Sequence, residues 1–358
     1  MRVALLCGDC PAGACGVGDY TVHLADSLRA IGVESEVIRS GDWSLHRTFH
    51  AYSDLRRLQA DIVHVQYPTF GFGRRLGPQV QGLLRGCVIT LHEVSQAHIL
   101  RKLALLPFGI RAQHVIFPSS IERQFAVRWM PWIYRLSSVI PVPSNIKASA
   151  PVQPRRENEI VHFGLIMPKK GMEDVIKLAA LIKATGLALT VRVIGTPPPK
   201  HVAYFEGLRS KASMLPMIWD HGLNAEQVAD RLASSSVAYL PYPDGVSERR
   251  ASIKAALING VAVVTTRGPH TPVDLEGAVH FSQSPEVALN TARFLLENPE
   301  ERGRLAAKAT RYMEQFGWER IAGLHLALYD EIVQRDNSRL VPPRAPAKTH
   351  LSGSSNVE

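Results

Sequence analysis

The chain has 358 residues, 46% hydrophobic, 20% charged and 7% aromatic, and at about 100–200 residues per domain this length predicts two domains, each with its own core. With 26 Gly, 24 Pro and four Cys, collagen-like, disordered and disulfide-framework classes are excluded, and no apolar run approaches the ~18–20 residues of a membrane-spanning helix. The charge is +9, and it is uneven: residues 1–150 hold 16 Lys+Arg against 10 Asp+Glu, the remainder 25 against 22. Such an excess suits a polyanionic partner, whether nucleic acid, anionic lipid or a phosphorylated small molecule. No Lys/Arg block with interleaved aromatics favours nucleic acid. The run Val3–Cys7 is too short for a signal-peptide core and Asp9 interrupts it, so a cytoplasmic location is expected.

Arg2–Cys7 reads as a buried strand ending in a loop of Gly and small residues, and Asp19–Ile31 as a helix through Val22, Leu24, Leu28 and Ile31. Val33–Arg39 alternates like a strand; Asp61–Tyr67, Cys87–His92, Val115–Phe117 and Val139–Val142 complete a first strand series. Ser149–Glu159, with two Pro, four charges and no period, reads as a linker. The alternation then restarts with strands at Ile160–Phe163, Leu189–Ile194, Met217–Trp219, Val237–Tyr242 and Val261–Thr266. Helices are expected at Met172–Lys183, near Tyr204–Ala212, at Ala225–Ser234 and at Ala251–Asn259. Residues 284–334 read as helical, and the polar, aperiodic end as a disordered tail. The fold class is α/β, with parallel sheets and right-handed crossovers. Ligands of such sheets sit beyond the carboxyl ends of the strands, which singles out the loops after Cys7, Tyr67, His92, Phe163, Ile194 and Tyr242.

Three of these loops carry chemistry. Gly13–Asp19 (GACGVGD) lets backbone N–H groups approach an anion at a helix start, although its spacing is not a dinucleotide fingerprint and a plain strand-to-helix turn explains it equally well. Phe163–Gly171 (FGLIMPKKG) ends a strand at Gly164 and places Lys169 and Lys170 at a helix start, a seat for a diphosphate or simply two solvated lysines. Pro241–Thr266 holds Asp244, Gly245, Val246, Ser247, Glu248, Arg249, Arg250 and Ser252 where a loop meets a helix. Arg pairs bidentately with phosphate oxygens, and Asp or Glu accepts hydrogen bonds from sugar hydroxyls. The bland alternative is a helix capped by Ser247.

Taken in order, GVGDYT at Gly16–Thr21, TLHE at Thr90–Glu93, VPSNI at Val142–Ile146, FGLIMPKKG, VIG at Val193–Gly195, PYPDGVSERR…ING-VAVVTT and FGWERIAGLHLALYDEI at Phe316–Ile332 form one pattern. The chain resembles the GT-B glycosyltransferases of family 4, over nearly its whole length. The resemblance implies two Rossmann-like domains facing across a cleft: residues 1–148 on the acceptor side, 149–317 holding the nucleotide sugar, a helix at 318–335 crossing back, and a tail at 336–358. It implies that Gly16, Gly18 and Asp19 line the diphosphate and acceptor side, that His92 reaches the transferred sugar, and that Lys170 and Gly164 belong to the diphosphate seat.

Two departures from the family pattern stand out. Leu165 occupies the place of a usual Arg, and the second of the usual two glutamates falls on Ala255. The expectation is therefore that Arg249 or Arg250 supplies the missing phosphate contact and that Asp244 or Glu248 meets the donor sugar. The implied activity is retaining, metal-independent transfer of a sugar from a nucleotide-diphosphate donor to a glycan, lipid-linked or small-molecule acceptor, without further cofactor; the alternative is an inactive sugar-nucleotide-binding partner or regulatory subunit. The sequence contains no Asp-x-Asp. Cys7, Cys10 and Cys15 are read as reduced thiols rather than metal ligands, and His64 as a hydrogen-bonded core residue. Residues 101–135 combine six Lys/Arg and one acid, Glu122, with LALLPFGI and WMPWIY; they read either as ordinary packing or as a helix lying on anionic lipid, a peripheral membrane contact.

Overall fold

The computed structural model describes residues 1–10, 15–40, 43, 44, 48, 53, 55, 57–73, 75–84, 86–95, 97–150 and 155–340. Its strands are β1 (Arg2–Gly8), β2 (Glu34–Ser40), β3 (Ile62–Tyr67), β4 (Val88–Leu91), β5 (His114–Phe117) and β6 (Ser137–Val139). A second series comprises β7 (Arg156–Phe163), β8 (Thr190–Ile194), β9 (Met217–Asp220), β10 (Ser235–Leu240), β11 (Ala262–Thr265) and β12 (His280–Phe281). They form two six-stranded sheets, ordered β2-β1-β3-β4-β5-β6 and β12-β11-β10-β7-β8-β9, with every neighbouring pair parallel. Strands β3 and β10 are buried along their whole length, as apolar strands covered by helices on both faces must be.

The helices between the strands supply that cover. In the first half they are α1 (Gly16–Ala30), α2 (Gly77–Leu84), α3 (Ile99–Leu103), α4 (Leu106–Arg111) and α5 (Ser120–Trp129). In the second they are α6 (Met172–Ala184), α7 (Val202–Lys211), α8 (Ala225–Ala233), α9 (Ala251–Ile258), α10 (Pro285–Glu297) and α11 (Pro299–Met313), followed by α12 (Trp318–Leu340). Each sheet thus separates two apolar clusters. Ile321, Ala322, Leu328, Tyr329 and Ile332 of α12 lie in the same cluster as Leu24 and Leu28 of α1 and Val3 and Leu5 of β1, so the last helix packs on the first sheet. The Tyr329 hydroxyl is 2.6 Å from His64 Nδ1 on β3.

Several boundaries differ from the expected ones. The segment expected as a linker already enters β7 at Arg156, where the Arg156 N–H donates to the Ser234 carbonyl at 2.8 Å; residues 151–154 lie outside the described residues. The strand expected at Val139–Val142 is Ser137–Val139, and β12 was not anticipated because two residues carry no period. Where a tail was expected from 336 the chain is still helical: α12 continues to Leu340, and Asp336 accepts a hydrogen bond from Gln113 Nε2 at 2.7 Å. Residues 341–358 lie outside the described residues. The helix considered within 101–135 is instead α3, α4, strand β5, α5 and a 3-10 turn at Pro131–Leu136, with Pro107, Pro118 and Pro131 at the breaks.

The two halves meet through few but specific bonds. Buried Lys254 on α9 donates to the Val142 carbonyl at 2.5 Å and lies 3.8 Å from the Phe316 ring centroid. The Trp318 indole donates to the Ser144 carbonyl at 3.0 Å. In the second sheet the order reverses between β7 and β10, in the first between β1 and β3. The loops leaving those strands are where an open α/β sheet places its ligand.

Candidate functional site

From the first half, β1 delivers the chain to α1. The Gly16 carbonyl is held by Asn145 Nδ2 at 3.0 Å, and Gly16 itself is exposed. Gly18 is buried against sulfur: a Cβ there would stand 2.7 Å from Cys10 Sγ, so the helix can approach the β1 loop only with glycine at this position. Asp19 sits in the first turn, where a carboxylate faces the positive helix end. Residues 13 and 14 of the expected GACGVGD element lie outside the described residues. Among the described residues no group of three or more His, Cys, Asp or Glu is arranged to hold a metal. Burial pushes the Cys7 thiol up to about 11 and the Cys10 thiol, beside Cys15, up to about 12.

His92 follows β4 and is half-buried. Its Nε2 lies 2.8 Å from Gln66 Oε1, and its ring meets Tyr20 edge-on at 5.1 Å. Burial, reinforced by His325, pushes its pKa down to about 3. His92 is therefore neutral at physiological pH; with Nε2–H donating to the Gln66 carbonyl oxygen, Nδ1 is left as an acceptor. Gln66 belongs to a buried chain: its Nε2 is 3.1 Å from His64 Nε2, which is 2.7 Å from the Thr90 hydroxyl. His64 is the hydrogen-bonded core residue it was expected to be.

From the second half, β7 ends in a turn through Lys169, at φ 64°, and Gly171, at φ 80°. Gly171 needs its hydrogen: a Cβ would run into the Pro241 carbonyl oxygen, so this glycine lets the 164–171 and 241–250 loops touch. Gly164 N–H donates to the Ile194 carbonyl at 3.1 Å, which binds the turn to β8. Lys170 is half-buried. Burial and the nearby Arg250 and Arg249 lower its pKa, while Glu93 and Asp244 pull it back up.

The loop after β10 is tightly tied. Gly245 N–H donates to the Tyr242 carbonyl at 2.9 Å, Val246 N–H to the Thr266 carbonyl at 2.9 Å, and Val246 is buried beneath. Arg250 pairs with Asp244 and lies 4.8 Å from the Tyr242 ring centroid. Tyr242 OH bonds Ser252 Oγ at 2.8 Å. Arg249 reaches Asp244 at 3.5 Å and, across the cleft, Glu122 at 3.1 Å. Ser247 does not cap α9. The N-cap position is Arg250, which makes no side-chain cap bond, and buried Ser247 Oγ and Arg250 Nε have no hydrogen-bond partner among the described residues.

Lys170, Arg249, Arg250 and Asp244 are thus brought together with Glu93 of the first half. Glu248 is not among them: it is partly buried, which raises its pKa, and the charges it feels are Lys254 and Asp274 on the other side of the loop. Both expected phosphate-binding arginines are engaged by carboxylates, and Lys170 is the cation of this cluster that makes no ion pair among the described residues. Glu122 and Gln66 were not expected here.

No protein-family model matches the chain, and no curated protein matches it in sequence. Solved structures do. Anabaena HepE in complex with UDP and glucose superposes with a TM-score of 0.72 at 14% identity, covering 92% of this chain and 100% of that one. The fold is GT-B. Sucrose-phosphate synthase from Thermosynechococcus elongatus gives 0.72 at 15% identity over 94% and 100%, and a glycosyltransferase from Rickettsia africae gives 0.70 at 12% over 93% and 98%. At these identities the likeness is one of fold: two Rossmann-like halves, whose switch-point loops carry the charges described above.

Proposed function

We propose that this GT-B chain is a retaining glycosyltransferase that moves a sugar from a nucleoside-diphosphate donor to a glycan or lipid-linked acceptor. The observation that carries the proposal is the convergence of Lys170, Arg249 and Arg250 on one side of the cleft, opposite His92 and Glu93. HepE, of the same fold, was solved with UDP and glucose. The N-terminus of α9, left without a side-chain cap, and the Ser247 hydroxyl, unpartnered among the described residues, add donors on the same loop.

The chemistry follows from the charges. As the bond between the anomeric carbon and the phosphate oxygen breaks, negative charge gathers on the leaving diphosphate, where fixed cations and helix N–H groups stabilise it. The acceptor hydroxyl attacks from the same face and passes its proton to the departing phosphate oxygen, so the configuration is kept and no carboxylate nucleophile is required. Neutral His92 suits this scheme as a hydrogen-bond acceptor for a sugar hydroxyl through Nδ1. Asp244, with 41% of its side chain exposed, is the carboxylate assigned to the donor sugar.

The acceptor side adds a membrane contact to this reading. Leu100, Ile110, Trp132 and Tyr134 are 52–69% exposed, beside exposed Arg101, Arg111, Arg128 and Arg135. The stretch's one acid, Glu122, is turned inward at 1% exposure. Apolar rings ringed by cations fit an anionic bilayer surface, and no helix of the described residues is long and apolar enough to cross it.

The test of the donor assignment is calorimetric titration with UDP, GDP and ADP. One of them binds the wild type, and Lys170→Ala weakens it by ~10-fold or more, as loss of a charge-assisted phosphate contact requires. No binding of any nucleoside diphosphate, or binding indifferent to Lys170, refutes the proposal.

A further inference from the structure

The most heavily engaged carboxylate near the cleft is Glu122, at the start of α5. Its Oε2 accepts the backbone N–H groups of Val94 and Ser95, each at 2.8 Å. Its Oε1 accepts the Ser95 hydroxyl at 2.6 Å and Arg249 Nη1 at 3.1 Å. Three of these donors belong to the loop that begins with His92 and Glu93. The fourth comes from the opposite half, out of the 241–250 loop that holds the cation cluster. The Glu122 side chain is 2% exposed and that of Arg249 18%. A buried carboxylate with all its acceptor sites filled is a rigid fixture, and a bond from it across a cleft fixes the relative position of both walls.

We infer that Glu122 is a positioning residue and that Arg249 serves as the clasp it holds: together they set the His92 loop in register with the diphosphate loop. Arg249 then acts on the alignment of the cleft rather than as a phosphate ligand, and the diphosphate contacts fall to Lys170 and Arg250. The kinetic part of this inference rests on the glycosyl-transfer reading; the conformational part does not. Arg249 meets two carboxylates, one in each half, at 3.1 and 3.5 Å. Asp244 also serves Arg250, whereas Glu122 draws no other cation among the described residues.

Two variants separate the functions of Glu122. In Glu122→Gln the amide oxygen can still accept the Val94 and Ser95 N–H groups, but the amide nitrogen then faces Arg249 and the clasp opens. Arg249→Gln opens it from the other side and leaves the 92–95 loop bonded within its own half. Spin labels on an unnatural amino acid at the exposed positions of Ile110 and Met214, one in each half, report the distance across the cleft by pulsed EPR.

The expected result is one narrow distance in the wild type and a broadened distribution in both variants. The double variant should be no broader than either single, the non-additivity of a direct pair. UDP affinity should change by less than ~3-fold in Arg249→Gln, while kcat falls by ~10-fold or more with donor KM nearly unchanged. Should Glu122→Gln fail to fold, Arg249→Glu, which sets like charges face to face, reads the same distance. Unaltered distances with UDP affinity lost by ~10-fold in Arg249→Gln would make Arg249 a phosphate ligand and overturn the inference. Failure of the wild type to bind any nucleoside diphosphate would refute the donor reading, while the distances would still judge the clasp.

Discussion

Acidification from pH 7 to pH 5 should destabilise this chain strongly, and unequally in its two halves. His64, His162 and His325 are 0, 3 and 0% exposed. Burial holds His162 and His325 at about 4 and His64 well below the ordinary histidine value, with neighbouring His325 and His92 adding to the His64 shift. In the unfolded chain each titrates near 6.5. The folded values are depressed and the protonated form is the charged one, so the unfolded state binds more protons across this window. Stability is complete above about pH 6.5 and falls as the pH drops towards 4. At pH 5 the loss is about 2 kcal/mol per histidine, roughly 6 kcal/mol for three, against a typical total of about 5–15 kcal/mol. Two of the three, His64 and His325, lie between the first sheet and α12, and the third lies in β7. Urea unfolding followed by fluorine NMR of fluorotryptophan-labelled protein separates the halves, because Trp318 packs on Tyr20 of α1 and Trp219 on Phe205 of the second core. The Trp318 transition should lose several times as much free energy as the Trp219 transition, because burial also holds His92 and His114 of the first half at about 3 and about 4. Equal shifts, or a combined loss under about 1.5 kcal/mol, would show that these histidines are not held neutral and would refute the reasoning.

Asp244→Asn removes the carboxylate that partners Arg250 and half of Arg249; calorimetry should then show UDP binding tightened by ~3-fold or more, and weakened binding would contradict the assignment. On vesicles containing anionic lipid the wild type should co-sediment in a salt-sensitive manner, with little retention on neutral vesicles and a several-fold loss in Trp132→Ser with Arg128→Ser; equal partitioning to neutral lipid would remove the membrane contact from the reading.

How much of this could be read from residues alone is clearest at particular positions. Strands such as Val88–Leu91 and Ser235–Leu240 carry their own signal, because burial on both faces demands an unbroken apolar or small-residue run. The three loops at the switch points were legible for the same reason: each follows such a run. Within those loops the residue types showed but their partners did not. Glu248, Arg249 and Arg250 are adjacent in sequence, yet one faces Lys254, one crosses to Glu122 and one folds back on Asp244. Ser119, three residues before Glu122, caps the helix, its Oγ accepting the Glu122 N–H at 3.3 Å. Nothing in that spacing tells that the Glu122 carboxylate reaches a loop 27 residues earlier and an arginine 127 residues later. Gln66 was within reach: His64 and Gln66 are two apart on one strand, hence on one face, and two polar groups buried side by side must bond something.

The site's charge arithmetic constrains how a diphosphate could enter. Lys170, Arg249 and Arg250 face Glu93, Asp244 and Glu122, three charges against three, so the cluster offers no net positive field to an incoming anion. Binding must therefore exchange one set of anionic oxygens for another. The carboxylates are not equally available for that exchange. Glu122 is 2% exposed and bound by four donors, whereas Asp244 is 41% exposed on a turn containing Gly245. Phosphate oxygens arriving between Lys170 and Arg250 would displace Asp244 first, at the cost of its partly solvated pairs with Arg250 and Arg249, each small beside a charge-assisted phosphate contact. The displaced carboxylate would then stand at the mouth of the diphosphate seat, where a sugar attached to that diphosphate presents its hydroxyls.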